Sequence, residues 1–178
     1  LGTSYKNDLS VWDQVMERFP NTAVLAVAGI LVALIIGIPT GIISAKKQYS
    51  AVDNVSMVLS LIGVSMPNFW FGLLVVIVFA LNLGWLPSQG MGEGGVELLK
   101  SLVLPALTLG TGCAATITRM TRSSMLEVIH QDYIDTAKAK GVSERTITFR
   151  HMLKNALIPI VTAVGLQFGT LLGGAMLT

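Results

Sequence analysis

The chain has 178 residues, 52% of them hydrophobic and 12% charged, with a mean hydropathy of +0.69 and a net charge of +2. A soluble domain carries about 25% charged residues, so half the charge that would coat a globule is missing, and the chain reads as a membrane protein. The small net charge gives no basis for nucleic-acid binding; where the basic residues lie matters more than their sum. Cys113, the single cysteine, cannot form an intrachain disulfide and sits in an apolar run, which suits packing rather than redox or metal chemistry. No cleavable signal pattern is visible. A start at Leu1 and an end at Thr178 inside an apolar run are what a fragment would show.

Residues 1–21 are mixed polar and read as an arm ahead of the first span. Within it Val11, Val15 and Phe19 share one side, with Trp12 and Met16 beside them, against Asp13, Glu17 and Arg18. This is either a loop helix or an interfacial helix anchored by Trp12. Residues 22–45 hold no Asp, Glu, Lys, Arg or His, and at about 1.5 Å per residue they cross a hydrocarbon core of about 30 Å. Gly37 and Pro39 near the end allow a kink.

Lys46, Lys47 and Asp53 read as a short polar connection, and a second uncharged span follows at 54–83. Inside it Pro67, Asn68, Phe69 and Trp70 break the apolar register. Proline frees a carbonyl in the preceding turn, and Asn68 adds polar atoms that hydrocarbon would not satisfy. Two readings stand: a packed kink against a neighbouring helix, or the polar lining of a translocation path. The span is slightly long, so a tilted or broken helix is expected.

Residues 84–100 contain GWLPSQGMGEGG, a turn-rich loop with Trp85 at a position suited to the headgroup level. GMGEGG fits G-x-G-x-x-G literally but has no strand before it and no βαβ unit around it, so no dinucleotide site is read there. A third span covers 101–123, with Pro105 early, Gly110 and Gly112 in its middle, and Arg119 and Arg122 near its end.

The stretch 124–155 is the longest polar segment between the apolar runs. The spacing predicts a helix over about 124–140, with Lys138 and Lys140 facing the negative end of its dipole. Gly141 suits a left-handed cap, and Ser143 followed by Glu144 restarts a helix. Phe149, Met152, Leu153, Ala156, Leu157 and Ile160 then form one apolar face, with Arg145, Thr148, Lys154 and Asn155 off it. In the last span, 156–178, Gly165, Gly169 and Gly173 recur every fourth residue, a stripe that lets another helix approach closely; a moving gate is the other reading.

The connections 46–54 and 119–155 hold nine of the twelve Lys and Arg residues, so the positive-inside rule puts them in the cytoplasm and places the arm and the loop 84–100 outside. The apolar cores of the four spans carry no charged side chain, hence no proton relay and no buried counter-ion. There is no Gly-Lys pair for a Walker A loop, no G-x-S-x-G elbow, and no zincin spacing around His130 and His151, which read as solvated surface residues. No catalytic set is visible, and no bound cofactor is expected. Energy for transport would have to come from another subunit. A proton-coupled or facilitative carrier and a membrane-embedded enzyme or assembly factor are the alternatives; the uncharged spans weigh against the first, and Ser65, Asn68, Thr108 and Thr116 form no recognisable set for the second.

DTAKAKG, residues 135–141, resembles the EAA-type loop (Glu-Ala-Ala-x-x-x-Gly) of ABC importer membrane subunits, the binding-protein-dependent transport family. The longer DYIDTAKAKGVSERTITFRHMLKNALIP, together with LGTSY, SMPNFWFGLL at 65–74 and LPALTLG at 104–110, resembles the branch importing dipeptides, oligopeptides or nickel. Asp135 and Thr136 stand where the general motif has Glu and Ala; Lys154 stands near its proline, with Pro159 five residues later, which looks like a trait of the branch. The resemblance implies an all-α polytopic bundle of the type I importer fold in a bacterial or archaeal inner membrane. It implies about four spans here, with further helices before Leu1 and after Thr178. It also implies a cytoplasmic coupling helix seated in an ATPase subunit, with Asp132, Tyr133, Asp135, Thr136, Ala137 and Gly141 as its working residues. Asp135 would supply a charged contact or cap, Ala137 close approach, Gly141 the turn and Tyr133 an aromatic anchor. The implied partners are two ATPase subunits that carry the ATP and magnesium, a second and different permease subunit, and an extracytoplasmic solute-binding protein.

Overall fold

The computed structural model of the chain describes residues 2–4, 10–90, 92 and 94–174; Lys6, Met91, Glu93 and the last four residues of the final expected span lie outside them. Helix α1 runs from Val11 to Lys46, opened by Ser10, whose hydroxyl accepts the Asp13 N–H at 3.4 Å. The helix expected over 11–19 is therefore not separate: it continues through Pro20 into the span. Its 36 residues reach about 54 Å at 1.5 Å per residue, well beyond a bilayer's apolar thickness of about 30 Å.

A turn over residues 47–50 leads to α2, Ala51–Ser65, capped by Ser50. Pro67 then ends that helix. It cannot donate to the carbonyl four residues back and pushes the preceding residue out of helical geometry; Met66 is extended, at ψ 126°. Helix α3, Asn68–Val76, starts afresh and passes into a π-helical stretch, Ile77–Asn82, bent by 100° from α2. The surplus length of 54–83 is taken up by this break. Helix α4, Gly95–Ile129, is the hub against which α1, α2, α3 and α7 pack. The chain closes with α5, Asp132–Ala139, α6, Glu144–Thr146, a π-helical stretch, Ile147–Leu153, and α7, Lys154–Gly174. Among the described residues three helices are long and apolar enough to cross a membrane, or four if the bent pair is one span.

The seam between α1 and α4 is built on small residues. A Cβ on Gly41 would stand 2.5 Å from that of Thr121 and 2.7 Å from the Thr118 carbonyl oxygen, and one on Gly110 would stand 2.7 Å from Val32. The two backbones approach as only glycine permits. One apolar cluster, including Ala26, Ile30, Leu109, Cys113, Ile117 and Leu171, fills the middle of the bundle. A second lies at the end where the basic residues gather and draws on α1, α4, α5, the second π stretch and α7.

Candidate functional site

Helix α5 sits on that second cluster. Helix α4 stops at Ile129, and Gln131 is extended at ψ 141°, so the single helix expected over 124–140 is two. The reason lies in burial. Met125 and Ile134 are nine residues apart and would point to opposite sides of one helix at 100° per residue. The break at His130 and Gln131 lets both face the same cluster, each fully buried.

Only Ile134 and Ala137 of α5 are buried, at i and i+3; Asp132, Tyr133, Asp135 and Thr136 face outward. Asp135 accepts from the Lys138 ammonium at 3.0 Å, and the Thr136 hydroxyl donates to the Asp132 carbonyl at 2.9 Å. Tyr133 is tied across the turn, its hydroxyl accepting from the Asn155 amide at 2.9 Å. Gly141 has φ +72°. Its N–H donates to Lys138, and the Val142 N–H reaches back to Ala137 at 3.2 Å; this is the Schellman pattern, closed on a residue that tolerates the left-handed region. Ser143 restarts the chain by accepting the Thr146 N–H, and Lys46 at the end of α1 pairs with Glu144 at 3.5 Å.

Beyond α6 the face differs from the expected one. Ile147, Thr148 and Met152 are buried, while Phe149 is 56% exposed. An α-helix traced back from Ile160 and Ala156 would bury Phe149. The π stretch takes more residues per turn, so the inward position slips by one and Thr148 takes it, its hydroxyl bonded to the Glu144 carbonyl at 2.8 Å.

Asp53 is the larger correction. Expected in a solvated connection, it is 1% exposed. The Arg122 guanidinium grips its carboxylate through two bonds, Nε to Oδ1 at 2.6 Å and Nη2 to Oδ2 at 2.7 Å. Ser44 of α1 donates to Oδ1 as well, and the Tyr49 N–H to Oδ2 at 2.9 Å. A buried counter-ion pair thus exists at the basic end, against the reading of the sequence. The available signal was Asp53 standing three residues after the capping Ser50 at a helix start; nothing pointed to Arg122 as its partner.

Further along α4, beside its middle at Gly112, Pro67, Asn68, Phe69 and Trp70 are all exposed at the elbow. Asn68 and Phe69 line a cavity of about 530 Å³ between α3 and α4, with Ser101 and Thr108 across from them and Gln89 at its mouth. Among the described residues no charged side chain lines it. A Cβ on Gly112 would stand 3.1 Å from the Asn68 amide oxygen, so the elbow also rests on α4. Of the four residues, Asn68 and Phe69 line this cavity, and Pro67 and Trp70 do not. Gly165, Gly169 and Gly173 meet no neighbour: a Cβ on any of them would have nothing within 4 Å among the described residues.

Residues 37–178 match the family described as the binding-protein-dependent transport system inner membrane component. The chain belongs to this family. The match takes in α2 to α7 and the last ten residues of α1, Gly37 and Gly41 among them. Among relatives of this transport component, the oligopeptide transport system permease protein AppB of Bacillus subtilis is 43% identical over 182 residues, covering 99% of this chain and 58% of the relative. The dipeptide transport system permease protein DppB of Escherichia coli K12 is 38% identical, covering 100% and 60%. The glutathione transport system permease protein GsiC of E. coli O6:H1 is 42% identical, covering 99% and 56%. The chain thus spans a little over half the length of these relatives. As an inner membrane transport component it is a polytopic helical protein, with the α5 surface at one end and the Asn68 cavity beside the elbow.

Proposed function

We propose that this chain is the greater part of a permease subunit of an ATP-driven importer, carrying di- or oligopeptides delivered by an extracytoplasmic binding protein. One observation carries the reading. Helix α5 buries two side chains in the bundle and turns its polar face outward at the basic end, the geometry of a lever rooted in the membrane part and free to be gripped from the cytoplasm. Its sequence is the one that resembles the coupling loop. The ATP and magnesium would reside on two ATPase subunits, and closure of those subunits would drag α5 and the bundle with it. A second permease subunit would complete the path. The lining of the Asn68 cavity, uncharged among the described residues, suits the amide groups of a short peptide better than a metal ion, and the relatives are named for peptides.

The test uses the assembled importer in vesicles. Gly141→Val forces a branched side chain into the left-handed region, at a cost of about 1–3 kcal/mol. Peptide uptake is expected to fall sharply while the partner subunits still hydrolyse ATP. Unchanged uptake at normal expression overturns the coupling role. A proton-coupled carrier would instead accumulate peptide in vesicles that hold no ATPase subunit.

A further inference from the structure

Helix α2 has no fully buried apolar side chain. Among its residues only Asp53 and Ser60 are buried, and Ser60 spends its hydroxyl on the Ser56 carbonyl of its own helix. No residue of α2 or α3 enters the cluster on which α5 rests. Yet the partners of Asp53 stand next to that cluster. Ser44 lies between Ile42 and Ala45 of α1, and Arg122 is one turn before Met125 of α4; Ile42, Ala45 and Met125 all belong to the bed of α5. The carboxylate collects four bonds, two from Arg122 and one each from Ser44 and Tyr49. Tyr49 is held at φ +62°, the left-handed region, by the turn that aims its N–H at Asp53. Three chain segments thus converge on one residue of a helix that fully buries no apolar side chain.

We infer that the Asp53–Arg122 pair is the joint through which displacement of α5 and its bed reaches α2, and through α2 the Pro67 elbow beside the Asn68 cavity. Asp53 and Arg122 are positioning residues in this role: they touch neither nucleotide nor cargo. The inference rests on the importer reading above. Two close, parallel bonds from a planar fork resist rotation as well as separation, which a joint that must turn α2 with α4 requires. Lysine keeps the charge at this position but has no fork.

The complete importer, reconstituted with its binding protein, gives ATP hydrolysis and peptide uptake in one preparation, and their ratio is the readout. Arg122→Lys and Asp53→Asn are each expected to lower uptake per ATP about tenfold, a coupling loss of ordinary size, with hydrolysis continuing. Removing one partner of a buried pair can prevent folding, so the neutral pair Asp53→Leu with Arg122→Met is the deciding variant. It refills the volume without the fork, and uptake per ATP is expected to stay low in it. A neutral pair that assembles and couples as the unaltered complex does overturns the inference and leaves the pair a packing element only. Spin labels at Lys140→Cys and Val58→Cys, in a Cys113→Ala background with the ion pair intact, read the joint without breaking it. One distance with and without a bound nucleotide analogue is expected; two distances overturn the inference. If the unaltered complex shows no ATP-driven uptake at all, it is the importer reading that fails, and the inference falls with it.

Discussion

Two glycine stripes in this molecule meet different fates. Along the α1–α4 seam, Gly37 and Gly41, four residues apart on α1, lie where a single added carbon would collide with the facing helix. Along α7, Gly165, Gly169 and Gly173 repeat at the same four-residue spacing and meet nothing among the described residues. The spacing is a licence for close approach and does not name the helix that uses it. The basic end shows the same contrast at larger scale. There α5 closes its cluster with Ile134, whereas α7 leaves Ile158, Val161 and Leu166 exposed. One region is closed by this chain's own side chains; the other stands open among the described residues.

Three substitutions break or sharpen that contrast. The largest effect is expected from Ile134→Ala, which empties the centre of the closed region. Loss of a buried isoleucine costs about 2–5 kcal/mol, read as a lower unfolding temperature of the purified protein and as proteolytic access to α5. Next comes Gly41→Ala. The Thr118 carbonyl is backbone and cannot rotate away, so the seam must open, at about 1–3 kcal/mol by the usual cost of overpacking; lower yield of folded protein is the measurement. The smallest effect belongs to Gly169→Ala, within about 0.5 kcal/mol in the isolated chain. A drop comparable to that of Gly41→Ala would show that the α7 stripe is covered from within after all. A drop confined to the assembled complex would put another subunit on it.

Much of this fold is local chemistry and was legible residue by residue. Gly141 could be read as a left-handed cap because its neighbours include good helix formers before it and a Ser-Glu start after it. Pro67 could be read as a break because a missing N–H has the same consequence wherever a helix continues. The exposed polar face of α5 follows from DYIDTAKA, whose only large aliphatic side chain is Ile134. Other features escaped for reasons equally physical. The stop at Ile129 costs backbone bonds that only the shared burial of Met125 and Ile134 repays. Phe149 and Thr148 exchanged places because one π stretch shifts the register of everything before it, and the apolar pattern fits the α-helical alternative just as well. Asp53 and Arg122 are 69 residues apart, and neither carries a mark of the other.

The sequence by itself determined that the chain crosses a membrane, that its helices break at Pro67 and Gly141, and which end is basic. Those follow from hydropathy, proline, glycine and charge, each acting within a turn or two of its own position. Only the tertiary structure decided which glycines are in use, which side chain fills the turn after α6, and that a carboxylate at the start of α2 belongs to an arginine on α4. These depend on which surfaces meet, and burial makes that choice across distances that no local pattern spans.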